Sequence, residues 1–182
     1  MARRVATFVC ALGMLVAVAV AAFGSAGASA EGAHQSHLTA ALGVDLGVLQ
    51  QLNQIREAHH LTPLTLSRNL TAAARQHSDD MLAKGYFAHT SSNGEQFWQR
   101  IEAFYPAPRS GYWSVGENLY WTPGPATAPG SMKAWMASPP HRANILNPRW
   151  RQIGVSTVTS DDAAGVFGSA GATVITTDFG VR

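Results

Sequence analysis

The chain has 182 residues, with thirteen Lys and Arg against eleven Asp and Glu, and one cysteine. The excess of two positive charges comes from Arg3 and Arg4 alone, and the remaining sequence holds no basic cluster or stripe, which argues against a nucleic-acid partner. Because Cys10 is the single cysteine, the fold must rest on its hydrophobic core and not on an internal disulfide.

The first thirty residues have the pattern of a secretory signal. Arg3 and Arg4 precede an almost wholly apolar run at 5–23, and small residues lead to Ala28-Ser29-Ala30, an A-x-A cleavage signature. A retained membrane anchor is the alternative, since the run approaches the ~20 residues that span a bilayer. The cleavage signature favours removal of residues 1–30, which predicts a secreted protein with no transmembrane helix after cleavage.

The rest of the chain is predicted to form one domain. Residues 31–44 are small and polar and are interpreted as a flexible leader. Residues 45–182 are enough for a single hydrophobic core, since domains of roughly 150 residues bury most of their surface.

Two helices are predicted at the start of this domain. The first begins with Asp45 as N-cap and has an apolar face formed by Leu46, Leu49, Leu52 and Ile55. The second is capped by Ser67, runs to about Ala83 and ends at Lys84-Gly85. His77 falls in the apolar pattern of this second helix, so we expect a core histidine bonded to the backbone.

A histidine follows the second helix directly. His89 comes after two aromatic residues and before the turn Asn93-Gly94, so a packed helix end fixes its position. A third helix is predicted from Glu95 to Phe104. Its expected buried stripe is Phe97, Trp98, Ile101 and Phe104.

Two further segments carry polar residues in apolar surroundings. An extended segment at 112–121 contains Glu117 and Asn118, which are costly to bury unless they have hydrogen-bond partners, and imidazoles are the obvious ones. A short helix, with Ser131 as a plausible cap, leads into residues 135–147 (WMASPPHRANILN). The two prolines there stiffen the backbone and force Ser138 toward an extended conformation, so the side chain of His141 has a fixed direction.

The last third of the chain is predicted to form strands. Residues 150–159 and 172–179 show alternation and β-branched residues, which predicts an antiparallel pair. Several helices before a sheet indicate an α+β domain with helices packed on the sheet.

Several motifs in this order resemble the CAP superfamily of cysteine-rich secretory proteins, venom antigens, pathogenesis-related proteins and bacterial relatives. They are FAHTS at 87–91, GENL at 116–119, WMASPPHRANILN at 135–147, IGV at 153–155 and TTDFG at 176–180. The resemblance covers the chain from about Leu46. It implies a three-layer α-β-α sandwich with an antiparallel central sheet and a cleft that holds histidines and acidic residues.

The resemblance also implies which residues form that cleft. His89 and His141 match the two cleft histidines of the family, and Glu117 matches the acidic residue of its GEN motif. Some relatives bind zinc or another divalent ion there, and neutral imidazoles with a ligating or supporting carboxylate suit such an ion. Relatives usually add a second acidic residue about ten positions after the first histidine. That position is Gln99 here, with Glu95 and Glu102 on either side, and losing the carboxylate would weaken a cation site.

The same residues have a structural interpretation. The histidines and Glu117 would form a satisfied polar network that specifies core packing whether or not anything binds. Asn118, Ser138 and Asn144 would then support the cleft by bonding the backbone around His141.

Three functions follow from these features. The first is a secreted binding module whose cleft, or a neighbouring aromatic groove, accepts a lipid, sterol-like or cell-envelope molecule. The second is a hydrolase in which Glu117, His141 and His89 are the candidate catalytic residues and a metal-bound or Glu117-activated water attacks an amide or ester. The third is an extracellular interaction factor that does not use the cleft. The sequence contains no serine elbow or HExxH motif, and it leaves the ligand and the oligomeric state open.

Overall fold

The computed structural model describes residues 25–169 and 171–182, so the predicted signal run at 5–23 lies outside it. Its helices and strands, in chain order, are α1 (Ser25–Ala58), β1 (Thr65–Leu66), α2 (Arg68–Lys84), α3 (Phe97–Phe104), β2 (Ser114–Pro123), α4 (Ala128–Ala137), α5 (Pro139–Ile145), β3 (Gln152–Ser160) and β4 (Ala172–Val181). A short 3-10 turn lies between β3 and β4. Across these two described ranges, no helix is both long and apolar enough to span a bilayer.

The four strands form one sheet in the order β1-β3-β4-β2. Strand β4 lies in the middle and pairs antiparallel with β3 and β2, so the predicted antiparallel pair is confirmed. The sheet as a whole is mixed, because β1 adds a parallel pairing to β3. A two-residue strand has no periodicity from which the sequence could predict it.

Helices cover both faces of this sheet, which confirms the α-β-α sandwich. Helix α2 packs on β3 and β4 and contacts α3, whereas α1 packs on β3 and on α4. The α2 contact depends on Gly154, because a Cβ there would lie 2.1 Å from the carbonyl carbon of Leu70. The core beneath α1 and α4 includes Trp135 and Phe179, both almost completely buried.

Helix α1 differs from the prediction at its start and on its buried face. It begins at Ser25, runs through the predicted leader at 31–44, and contains Asp45 in its interior and not as an N-cap. Val48 and Leu52 are fully buried, whereas Leu46 is 62% exposed. The residues that α1 buries are four apart, so its buried face turns away from Leu46. Whether the leader is flexible, and the division at residue 45, stay predictions.

Helix α2 has the predicted ends. Ser67 accepts a hydrogen bond from the backbone N–H of Leu70 at 3.4 Å, and Gly85 adopts the left-handed conformation with φ 70° that glycine permits. His77 is fully buried, and its Nε2–H donates to the carbonyl of Ala88 at 2.8 Å, which confirms a core histidine bonded to the backbone.

Helices α3 and α4 correct the predicted boundaries and one buried stripe. Helix α3 begins at Phe97, and Trp98 is 44% exposed while Arg100 is buried in its place. The helix rotates so that Arg100 and Ile101 face inward together. The N-cap of α4 is Thr127, not Ser131, whose buried hydroxyl donates to the carbonyl of Ala128.

Candidate functional site

His89 stands at the end of a loop that is fixed at two points. The bond from His77 holds the carbonyl of Ala88, and Arg100 Nη1 donates to the carbonyl of His89 itself at 3.3 Å. The His89 side chain is half exposed. The backbone of His89 is therefore anchored while one side of its imidazole faces the outside.

Glu117 lies in the middle of β2 and is hydrogen-bonded to both His89 and Arg100. Its side chain is fully buried, Oε1 accepts a hydrogen bond from His89 Nδ1 at 2.7 Å, and Oε2 accepts one from Arg100 Nη2. The structure thus brings together His89 and Glu117, which the sequence proposes as partners. Because Nδ1–H donates to the carboxylate, Nε2 is left for a ligand.

Arg100 is the residue that α3 contributes to this network, and sequence reasoning missed it. Its guanidinium is 3% exposed, and Nη1 also donates to Ser91 Oγ at 2.8 Å. Gln99, at the position where relatives carry a carboxylate, is exposed, and its Oε1 accepts from the backbone N–H of Gln96 at the helix start. The position of Arg100 three residues after Phe97, inside the apolar stripe, is the signal that could have revealed it.

Asp178 is a second residue that the sequence interpretation did not single out. It lies opposite Glu117 in the β2–β4 pairing, is completely buried, and neither of its oxygens has a hydrogen-bond partner in the described residues. Burial, followed by the negative charge of Glu117, raises the pKa of Asp178 well above its usual range. Asp178 therefore holds its proton to a higher pH than an exposed aspartate does. A carboxylic residue within the otherwise apolar and hydroxylic strand β4 is the signal in the sequence.

His141 lies in the first turn of α5. Ser138 is extended (φ −97°, ψ 116°), as the following proline requires, and the carbonyl of His141 accepts a hydrogen bond from Asn118 Nδ2 at 3.1 Å. Burial, and then the nearby charge of His89, lower the pKa of His141. His141 is consequently neutral at pH 7, and it lies near enough to His89 for their charges to interact.

Side chains also cover the outer edge of β2 beside the cleft. Asn144 Nδ2 donates to the carbonyl of Glu117 at 3.0 Å and to Asn118 Oδ1 at 2.9 Å, and Trp135 Nε1 donates to the carbonyl of Leu119 at 2.9 Å. The close approach requires Gly116, since a Cβ there would lie 2.9 Å from the Trp150 ring. Asn118 thus bonds the backbone at His141 as expected, whereas Asn144 bonds β2 and the Asn118 side chain instead. The Ser138 side chain makes no capping hydrogen bond to α5.

Two aromatic rings flank the exposed side of His89. The Phe97 ring lies 6.2 Å from the imidazole, and Trp98 packs edge-on against Phe97 at 5.3 Å. Because Trp98 is 44% exposed, an apolar surface continues from the imidazole to solvent.

The predicted zinc site has a poor fit to this arrangement. Both oxygens of Glu117 are already bonded, one of them to a buried cation. In residues 25–169 and 171–182, no group of three His, Cys, Asp or Glu side chains is placed to hold a metal. His89, with its second nitrogen bonded to a carboxylate, has the orientation of a metal-binding histidine, so zinc on His89 and His141 stays a prediction.

Known proteins share both the sequence pattern and the fold. A protein of Bacillus subtilis, YkwD, is 36% identical over 113 residues, which is 62% of this chain and 42% of that protein. An extracellular protein with an SCP domain from Bacillus anthracis superposes with a TM-score of 0.62 at 23% identity, covering 78% of this chain and 41% of its own. An outer surface protein of Borrelia burgdorferi gives 0.59 at 19% identity, covering 74% and 89%.

A family model also matches most of this chain. This chain spans less than half the length of YkwD and of the Bacillus anthracis protein, so the likeness to them concerns one region of each. Residues 49–175, well over half of the chain, match the model of the cysteine-rich secretory protein family, CAP. The chain therefore belongs to the CAP family.

Proposed function

We propose that this protein is an exported binding module that holds an amphipathic lipid, sterol-like or cell-envelope molecule at the mouth of its cleft. The observation that carries the proposal is the contact between an oriented, half-exposed imidazole and an apolar surface. His89 is fixed by Glu117 on one side and lies beside the Phe97 and Trp98 rings on the other.

The polar part of the ligand would bind to the imidazoles. With Nδ1–H of His89 donating to Glu117, Nε2 is left to exchange a hydrogen bond with a ligand hydroxyl. The lowered pKa of His141 keeps that ring neutral, so it too exchanges hydrogen bonds without adding charge. An uncharged hydroxyl group fits these partners better than an anion or a metal ion does.

The apolar part of the ligand would lie on the aromatic side. Trp98 is one of the few large hydrophobic side chains that remain exposed in the described residues. Covering it with a hydrocarbon or ring face removes apolar surface from water, at about 25 cal/mol per Å².

Hydrolysis has less support from the geometry. A general base needs a free oxygen or nitrogen near the attacking water, and both oxygens of Glu117 are bonded within the network. The covered edge of β2 supports a rigid binding site, since Asn144 and Trp135 hold its backbone.

Lipid-binding measurements test the proposal. Purified residues 31–182 would be titrated with dispersed fatty acids, sterols and envelope lipid extracts, and binding compared with the variants Trp98→Ala and His141→Ala. We expect each substitution to weaken binding about tenfold, the loss of roughly 1.4 kcal/mol. Leu46→Ala removes an even more exposed hydrophobic side chain, from α1, and is expected to change nothing.

Two results would contradict this function. One is the absence of binding to every class tested. The other is equal binding by Trp98→Ala and the wild type, which would move any lipid contact away from the cleft mouth.

A further inference from the structure

A second surface feature lies outside the cleft, where β2 begins and β4 ends. Tyr112, Arg149, Arg151 and Val181 line an open groove of about 420 Å³, here called the basic groove. None of these four residues belongs to the network around Glu117. The groove is assembled from three separate parts of the chain, and both of its arginines come from the segment Arg149-Trp150-Arg151.

The arginines of the basic groove have no acidic counterpart. Among the described residues, neither Arg149 nor Arg151 lies within 4.0 Å of a carboxylate, whereas Arg75 and Arg100 both do. Residues 31–182 carry equal numbers of acidic and basic side chains, so these two arginines form a local excess of positive charge.

A third cation is bonded to the segment that leads into Arg149. Arg56 is fully buried and binds only carbonyl oxygens, those of Thr62, Ile145 and Asn147. Burial, and then the charge of Arg151, lower the pKa of Arg56, which shows that the two cations interact. Positive charge that is partly desolvated and not paired produces a strong local field for an anion.

Both groove arginines are held in place before any ligand arrives. Arg151 Nη1 donates to the carbonyls of Pro148, Arg149 and Trp150 at 2.8–3.1 Å. Arg149 Nη1 donates to the Tyr112 hydroxyl at 3.1 Å, and its Cζ lies 5.7 Å from the centre of the Tyr112 ring. Fixed guanidinium groups lose little conformational entropy on binding.

We propose that the basic groove binds a phosphodiester-linked sugar or polyol polymer. Two guanidinium groups at one groove can share the oxygens of a tetrahedral phosphate, while a planar carboxylate matches a single guanidinium edge. Tyr112 is 52% exposed and offers its ring to the neighbouring sugar or polyol unit. The groove is open at the surface, so a chain can pass along it.

Fluorescence anisotropy with labelled poly(glycerol phosphate) of about twenty units tests this site, over a salt series from 50 to 200 mM. The wild type is expected to bind with an affinity that falls as salt rises, because counterions return to the polymer. R149Q/R151Q should bind at least about tenfold more weakly at 50 mM, with a log–log salt slope shallower by about 1 to 1.5. Tyr112→Ala should weaken binding about threefold with an unchanged slope.

The matched control is R68Q/K84Q, which removes two exposed positive charges from α2. It should stay within twofold of the wild type, and an equal loss would mean that net charge alone attracts the polymer. Equal binding by R149Q/R151Q would overturn the site. Binding to phosphatidylglycerol vesicles without binding to the polymer would overturn the ligand class. If R149Q/R151Q unfolds below 40 °C, R149K/R151K replaces it and should lose about threefold while keeping the slope.

Discussion

The pair Glu117 and Asp178 allows a quantitative test of how the site is charged. The two carboxyl groups face each other across β2 and β4 and share one cation, Arg100, which is bonded to Glu117. If Asp178 is neutral in the wild type, replacing it with asparagine removes no charge. We therefore expect Asp178→Asn to lie within about 1 kcal/mol of the wild type at pH 4 and to be at least as stable as the wild type at pH 7, where the unfolded wild-type chain releases the proton that the folded protein holds.

Glu117→Gln should have a moderate effect for the same reason. Removing one partner of a buried ion pair costs about 3–5 kcal/mol when the other charge is left alone. Here Asp178 loses the repulsion of Glu117, can ionise, and supplies Arg100 with a new counter-charge. The expected cost of Glu117→Gln is therefore only about 1–2 kcal/mol.

The double variant E117Q/D178N removes that compensation. It should cost about 3–5 kcal/mol, so the two substitutions would be coupled by roughly 2 kcal/mol. Urea unfolding of the four proteins at pH 7 and 25 °C measures each term. Asp79→Asn combined with Glu117→Gln is the control, because the Arg75–Asp79 pair is an exposed one and its effect should add.

The pH dependence of the free energy of unfolding tests the protonation of Asp178 independently. Since the pKa of Asp178 is raised in the folded protein, its contribution is fully present below about pH 4, the unfolded value, and is lost as the pH rises toward the folded pKa. Asp178→Asn should become progressively more favourable relative to the wild type above pH 4. A loss of 3–5 kcal/mol in Asp178→Asn alone, additive with Glu117→Gln, would refute a neutral Asp178.

Three further expectations concern other titrating groups and the metal. Burial raises the pKa of Asp45 to about 6, so the stability that its protonated form contributes is lost between about pH 4 and 6. Urea unfolding at pH 7 should therefore show Asp45→Asn to be about 1–2 kcal/mol more stable than the wild type. Equal or lower stability of the variant would contradict this expectation. Burial lowers the pKa of His77, so the stability of the folded protein falls as the pH drops below about 6.5. The melting temperature should therefore fall less between pH 7 and pH 5 in His77→Gln than in the wild type. An identical fall would show that His77 does not cause the loss of stability at low pH. Because Arg100 donates to a Glu117 oxygen that could ligate Zn²⁺, the ion should raise the melting temperature of Arg100→Gln more than that of the wild type. This additional rise should be absent when the variant also carries His141→Ala. A larger rise in the wild type would show that Arg100 does not oppose binding of the ion.

The sequence predicts much of the fold because its local signals agree with the tertiary structure. Ser67 and Gly85 are strong start and stop signals, and α2 ends at the residues they indicate. Helix α1 shows the opposite case, since Asp45 has the chemistry of an N-cap but lies inside a longer helix. Which leucines of α1 are buried depends on where helix α4 packs against it. The sequence around Leu46 contains no information about that packing.

The sequence predicts only some of the residues of the candidate site. Histidines and a glutamate are conspicuous, and the structure does place Glu117 against His89. Arg100 and Asp178 lie far apart in sequence and reach the site only through the packing of α3 and the register of β4 with β2. Pairing of that kind depends on long-range contacts, which no local pattern contains.

These two additional residues change what the cleft can accept. The positive charge of Arg100 pairs with the negative charge of Glu117, and the raised pKa of Asp178 disfavours a second negative charge beside them. His141 is also neutral there. A divalent cation gains little from such a site, because the carboxylate that would attract it already neutralises a guanidinium. A hydroxyl group requires no counter-charge, only an oriented donor or acceptor, and His89 is oriented by the same bond that occupies Glu117. The electrostatics of the network therefore favour an uncharged polar group beside the Phe97 and Trp98 rings.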